Sequence, residues 1–238
     1  MTTPARGGAP APRRIVLLPG MDGTGTLFDR FRAAAPPHVR LDVVPLPVEA
    51  LSYAEVAEAI APVAALTPET VVLGESFGGP LALMLAARSP VAAVVLVNSF
   101  IRSPVPPRVA RLATPMFFRL RPPEEMLRRL LVGMDADAGL VRELRAALDR
   151  VPAKVLAARV REIAGVDAGG ALDALARARR PLLYLRATAD RVVRDASVEA
   201  IRARAPHVVV TRVPGPHLLL QASPATAWEA IAPFLDTL

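Results

Sequence analysis

The 238-residue chain contains no cysteine. A disulfide framework is excluded, and so is any metal site built on thiolates. Lysine occurs once, at Lys154, so arginine carries nearly all of the positive charge. Aromatic residues make up only 4% of the chain and do not interleave with the arginines. A base-stacking surface for nucleic acid needs such aromatics. The net charge of +7 therefore reads as a solvated surface, and nucleic acid is not an expected partner. No apolar stretch reaches the ~18 residues of a membrane span, so none is expected. The opening M-T-T-P-A-R-G-G-A-P-A-P-R-R lacks the apolar h-region of a secretory signal. It reads as a flexible tail over residues 1–13 of a cytoplasmic protein.

What is present is globular: 53% of residues are apolar and 21% charged. Short Val/Ile/Leu runs recur at Ile15–Leu18, Leu41–Val44, Thr70–Leu73, Ala93–Val97, Leu182–Leu185 and Val208–Val213. They lack polar alternation, which is how strands buried on both faces of a parallel sheet read. Helical segments are expected at Tyr53–Ala65, Gly79–Arg88, Ser197–Arg204 and Ala225–Leu235. Ser52 with Glu55 three residues on forms a capping box at the first of these. The alternation predicts an α/β fold with a doubly wound sheet.

From Ile101 to Arg180 no strand is expected. Prolines at 107, 115, 122, 123 and 152 separate helix-like blocks around Pro107–Leu120, Pro123–Leu131, Ala138–Arg150 and Lys154–Ile163. Residues 101–180 read as a helical cap inserted into a core made of 14–100 and 181–238. Met116, Phe117 and Phe118 are then either the small core of that cap or the roof of a substrate pocket.

Gly74-Glu75-Ser76-Phe77-Gly78 is G-x-S-x-G, placed between a strand and a helix. A sharp turn there strains the serine backbone and pushes its hydroxyl past the strand end. Residues two before and two after must be small, and both are glycine. With this glycine and serine content about 0.02 chance matches are expected.

Serine needs a base to take its proton. Active-site residues of an open parallel sheet gather at the carboxyl ends of its strands. Of the three histidines, only His217 follows a strand. His38 and His207 precede strands and read as surface residues. The base needs an acid to orient it. Asp190 follows the strand at Leu182, and Asp195 is the fallback. Asn98 occupies another strand end but carries no charge.

L-P-G-M-D-G-T-G, at 18–25, resembles a phosphate cradle, but Thr26 stands where a P-loop requires lysine. The dinucleotide fingerprint fails at Phe28. An oxyanion hole is the alternative, with one N–H from Phe77, after the nucleophile, and one from Met21. A donor of this kind is worth about 3–4 kcal/mol of transition-state stabilisation.

From about Arg14 onward the chain resembles the α/β-hydrolase superfamily. The resemblance lies in the elbow G-E-S-F-G-G, the loop P-G-M-D-G-T-G and the ending G-P-H-L-L-L-Q-A-S-P. The P-G-x-D-G-T-G form is similar to that of a subgroup of bacterial hydrolases. Pro19 replaces the histidine that often opens this loop. The resemblance implies the order Ser76, Asp190, His217. It also implies a trimmed, mostly parallel sheet of about six strands without the usual N-terminal hairpin. The expected activity is hydrolysis of a small-molecule ester or thioester with an apolar acyl group, with no cofactor and no metal. Acyl transfer, a lyase or cofactor-free peroxidase reaction on the same fold, and a non-catalytic binding role are the rivals.

Overall fold

The computed structural model describes residues 13–49, 51–104, 114–120 and 122–238. The tail expected over 1–13 lies outside them apart from Arg13, as does most of the front of the block expected at Pro107–Leu120.

Six strands form one sheet: β1 (Arg13–Leu18), β2 (Val39–Val43), β3 (Val71–Glu75), β4 (Ala93–Val97), β5 (Leu182–Ala187) and β6 (Val209–Val213). Their order is β2-β1-β3-β4-β5-β6, and each pairing is parallel. The apolar runs are continuous because the sheet is covered on both sides. Alternate residues of β1 point opposite ways: Val16 and Leu18 enter one core, Ile15 and Leu17 the other.

On the first face lie α2 (Tyr53–Ala64), α3 (Gly78–Arg88), α8 (Gly169–Arg177) and α9 (Asp195–Arg204). On the second lie α1 (Asp29–Ala33), α10 (Leu219–Ala222) and α11 (Pro224–Leu235). The four core helices expected from sequence are found within two residues of their predicted ends. The Ser52–Glu55 capping box forms as expected, with both reciprocal bonds made. α1, α8 and α10 went unpredicted. The first and last are only five and four residues long. α8 opens on Gly169-Gly170, poor helix formers, and it is started by the Asp167 carboxylate, which accepts the Gly169 N–H at 2.8 Å.

The described residues between β4 and β5 hold helices and one isolated antiparallel bridge, Arg102 to Asp167. The helices are α4 (Pro115–Arg119), α5 (Glu124–Leu127, continuing as a π-helical turn over Arg128–Val132), α6 (Ala138–Asp149), α7 (Ala153–Gly165) and α8. They make two small cores. One joins Leu127, Val132, Leu140, Val141 and Leu144 to Leu27 and Leu218. The other joins Val151, Val155 and Leu156, with Phe118 packed on it. α8 instead packs on α3, and its Leu172 and Leu175 belong to the sheet core.

The chain passes from β1 to β2 on one side and then returns to β3 on the other. Such a reversal opens a crevice at the carboxyl ends of β1 and β3. Pro19-Gly20 and Ser76 lie at those two ends. No described helix is long and apolar enough to cross a membrane.

Candidate active site

Ser76 has φ 50°, a left-handed conformation rare outside glycine. The turn is over-determined around it. A β-carbon on Gly74 would run into the Gly78 carbonyl, and one on Gly78 into the Leu18 carbonyl of β1. One on Gly79 would meet the Ser99 hydroxyl. The Ser76 N–H donates to Val97 O at 2.9 Å, and Ser99 Oγ donates to Ser76 O at 2.7 Å. Tyr184 then donates its hydroxyl to Ser99 O at 2.7 Å. The strained serine is thus held from β4 and β5, which is how local strain persists in a folded chain.

His217 Nε2 lies 2.9 Å from Ser76 Oγ, and its Nδ1 lies 3.0 Å from Asp190 Oδ2. A carboxylate only accepts, so Nδ1 carries the proton. Nε2 is left with a lone pair facing the serine hydroxyl. Asp190 Oδ1 accepts the N–H groups of Val192 and Val193 at 2.7 and 3.0 Å. Arg186 stands 3.6 Å from Oδ2. Its carboxylate is therefore supplied with donors although its side chain is fully buried. Asp195 is turned away, accepting from Arg186 Nε at 2.8 Å and Arg212 at 3.1 Å. His38 is exposed, and His207 Nε2 contacts Arg180 O at 2.9 Å. The structure brings together Ser76, His217 and Asp190 and leaves the fallback acid and the other histidines apart.

Asn98, also at positive φ (45°), ties this group to the sheet. Its Nδ2 donates to His217 O at 2.7 Å, while its Oδ1 accepts the Ala187 N–H at 2.8 Å. Sequence reasoning weighed Asn98 only as a place for an acid. Its role is to bridge β4, β5 and the histidine loop. The signal was a polar pair, Asn98-Ser99, directly after five apolar residues.

The Gly20–Gly23 turn lies beside the serine. A β-carbon placed on Gly20 would sit 3.9 Å from Ser76 Cβ. Gly23 N–H closes the turn onto Gly20 O at 3.0 Å. In a planar trans peptide N–H and C=O point opposite ways, so the Met21 N–H faces out of the turn. Among the described residues neither the Met21 nor the Phe77 N–H donates to a protein acceptor. Phe77 is fully buried and stacked on Tyr53, with ring centroids 4.3 Å apart.

Met116 and Phe117 are exposed, and Phe117 meets Phe118 edge-on at 5.3 Å. Phe118 lines a small cavity with Leu127, Leu148, Val151 and Leu156.

Glu75 is buried directly behind the serine. Burial pushes its carboxyl up to about 8, against the pull of a bond from Gln221 Nε2 at 2.7 Å. Glu75 Oε1 and Gln221 Oε1 have no partner among the described residues. A proton on the carboxyl supplies the donor this pair lacks. No three His, Cys, Asp or Glu side chains converge as a metal site would require, among the described residues.

A family model described as the alpha/beta hydrolase family matches residues 15–231. The chain belongs to this family. It is 30% identical over 233 residues to a pimeloyl-[acyl-carrier protein] methyl ester esterase of Xanthomonas campestris pv. campestris, covering 84% of this chain and 86% of that one. Among solved structures, a hydrolase from Oleispira antarctica superposes with a TM-score of 0.82 at 10% identity, covering 98% and 93% of the two chains. A bromoperoxidase from Bacillus anthracis reaches 0.82 at 15% identity, covering 94% and 92%. A carboxylesterase from Nitrososphaera gargenis reaches 0.78 at 14%, covering 100% and 97%. The structural matches carry the fold, and a bromoperoxidase and a carboxylesterase sharing it show how little the fold says of the reaction.

Proposed function

We propose that the protein is a serine esterase acting on a carboxylic ester with an apolar acyl group. The observation that carries this reading is the pair of contacts at 2.9 and 3.0 Å linking Ser76 Oγ, His217 and Asp190. His217 Nε2 takes the hydroxyl proton as Ser76 Oγ attacks the carbonyl carbon. Asp190 holds the Nδ1–H tautomer and stabilises the imidazolium. The oxyanion is received by the N–H groups of Phe77 and Met21, both free to donate. His217 then protonates the leaving alcohol, and water deprotonated by His217 releases the acyl-enzyme. The chemistry calls for no metal or cofactor.

Of the expected insertion 101–180, α4 to α7 are read as the cap over this site, while α8 packs into the sheet core. Support comes from the small core that joins its helices to Leu218, next to His217, and to Leu27, close after the Met21 turn. Leu218 N–H also donates to Leu131 O at 2.8 Å. Met116, Phe117 and Phe118, on α4 of this cap, are the apolar side chains proposed for the acyl group, although Phe118 also packs on the cap's own small core. The Xanthomonas relative is named for a methyl ester on an acyl chain, so acyl methyl esters are the natural substrates to try beside p-nitrophenyl esters.

The test is turnover of a short-chain p-nitrophenyl ester together with labelling by a fluorophosphonate. Wild type should turn over and be labelled at Ser76, and Ser76→Ala should do neither. Wild-type turnover by Ser76→Ala sinks the proposal.

A further inference from the structure

Arg159, on α7, is a buried guanidinium, 2% exposed, that reaches out of its own helix into the turn after β1. Nη1 donates to Met21 O and Asp22 O, both at 2.8 Å. Nη2 donates to Pro47 O at 2.7 Å. Gly23 makes room for it, since a β-carbon there would come within 2.8 Å of Cζ. One side chain therefore grips both central carbonyls of the Gly20–Gly23 turn and ties them to the segment after β2.

The charge matters as much as the bonds. Asp22 is buried in the same turn, and a β-carbon on Gly20 would lie 3.8 Å from Asp22 Oδ1. Because the same point lies 3.9 Å from Ser76 Cβ, Asp22 Oδ1 is within about 8 Å of the serine. Its oxygen Oδ2 accepts from the Thr24 N–H at 2.9 Å and from Thr24 Oγ at 2.6 Å, and burial raises its carboxyl, opposed by these bonds and by Arg159. A negative group at that range in a buried turn would oppose a developing oxyanion. The guanidinium offsets that charge within the turn.

We infer that Arg159 is a positioning residue for the oxyanion site: by holding the Met21 and Asp22 carbonyls and balancing Asp22, it keeps the Met21 N–H aimed beside Ser76. The inference rests on the esterase reading and on Met21 as a donor. Without Arg159 three carbonyls lose their donor and the turn can relax. A displacement on the order of 1 Å is enough to weaken a stabilising contact made in the transition state. Lysine cannot replace it fully, because an ammonium is a point charge without the planar fork that spans several carbonyls.

The experiment compares wild type, Arg159→Met and Arg159→Lys by kcat and KM per active site titrated with fluorophosphonate. Inhibition by a trifluoromethyl ketone, which forms a tetrahedral adduct on serine, is read in parallel. Arg159→Met should lose about 10²-fold in kcat, the scale of one oxyanion donor, with KM changed by less than about threefold. Its ketone Ki should rise in step with the fall in kcat. Arg159→Lys should recover part of both. A structural role alone would lower the folded fraction while leaving kcat per titrated site and ketone Ki unchanged, and that result overturns the inference. If Arg159→Met does not fold, Arg159→Lys decides: kcat and Ki at wild-type values overturn it, and a coupled loss in both supports it. Ser76→Ala separates the two levels. A ketone adduct on wild type that Ser76→Ala cannot form upholds the esterase reading whatever Arg159 does. Absence of any adduct on wild type removes both.

Discussion

The side-chain amide of Asn98 donates to the main-chain carbonyl of His217 across 2.7 Å, joining the end of β4 to the loop that carries the imidazole. Its other end takes the Ala187 N–H of β5. Alanine at this position leaves two buried main-chain groups unpaired, at about 1–3 kcal/mol each. Asn98→Ala should therefore lower unfolding free energy by about 2–4 kcal/mol in a urea titration. Asn98→Gly, which tolerates the positive φ but makes neither bond, should lose nearly as much. A much milder glycine variant would assign the effect to backbone strain instead.

Asp190 and Asp195 sit five positions apart and predict opposite outcomes. Asp190→Asn removes the acceptor that fixes the His217 tautomer, so kcat/KM should fall about 10⁴-fold while the fold is kept. Asp195 has a side chain 53% exposed and pairs with Arg186 and Arg212. Exposed ion pairs contribute about 0–1 kcal/mol, so Asp195→Asn should leave turnover nearly unchanged. Steady-state kinetics of the two variants checks both, and reversed results would move the acid to Asp195.

The nucleophile turn has no room for a methyl group at Gly78, where a β-carbon would strike the Leu18 and Pro19 carbonyls. Backbone has to give way there rather than a side-chain tip. Gly78→Ala should cost more than about 2 kcal/mol, read as a lowered thermal midpoint or loss of soluble protein. A variant as stable as wild type would show that β1 and the elbow can separate freely.

Glu75 makes stability fall as pH rises. Its unfolded carboxyl titrates near 4.5, and in the folded chain burial pushes it up to about 8. Between those values the folded state holds a proton that the unfolded state has released, so each pH step favours unfolding. Below the window both states are protonated, and above it both are ionised. Asp22, also raised by burial, adds a loss of the same sign. Carboxylates held low by arginines, such as Asp42 and Asp195, act only at more acidic pH and in the opposite sense. Glu75→Gln, which pairs with Gln221 at any pH, should flatten much of the decline in urea-derived stability between pH 5 and about 8. A variant with the same slope as wild type would assign the decline to other groups.

Much of this arrangement was legible in the order of residue types. Short continuous apolar runs bounded by turn residues fit strands of a covered parallel sheet, so the six strands and the parallel sheet followed from Ile15–Leu18 and its counterparts. Ser76, Asp190 and His217 could be singled out because each follows such a run, and strand ends are where a parallel sheet gathers function. Arg159 could not be found that way. It is one arginine among many on a helix, and what singles it out is the three carbonyls that tertiary packing delivers to it. Glu75 gave no signal either, since its position inside G-x-S-x-G tolerates any residue type in the motif. Only burial against Gln221, far along the chain, gives it a chemistry of its own.

Trp228 is the single tryptophan of the chain. Its ring lies flat on Phe31, centroids 4.4 Å apart and planes within 3°, and its Nε1–H donates to Phe31 O at 2.9 Å. This contact clamps α11 onto α1, on the sheet face opposite α2 and α3. The molecule thus carries one tryptophan, whose emission, excited beyond the absorption of its two tyrosines, reports docking of the C-terminal helix. Rearrangements of the inserted helices around Arg159 should leave that signal silent, so global unfolding and motion at the site can be followed separately without adding a label.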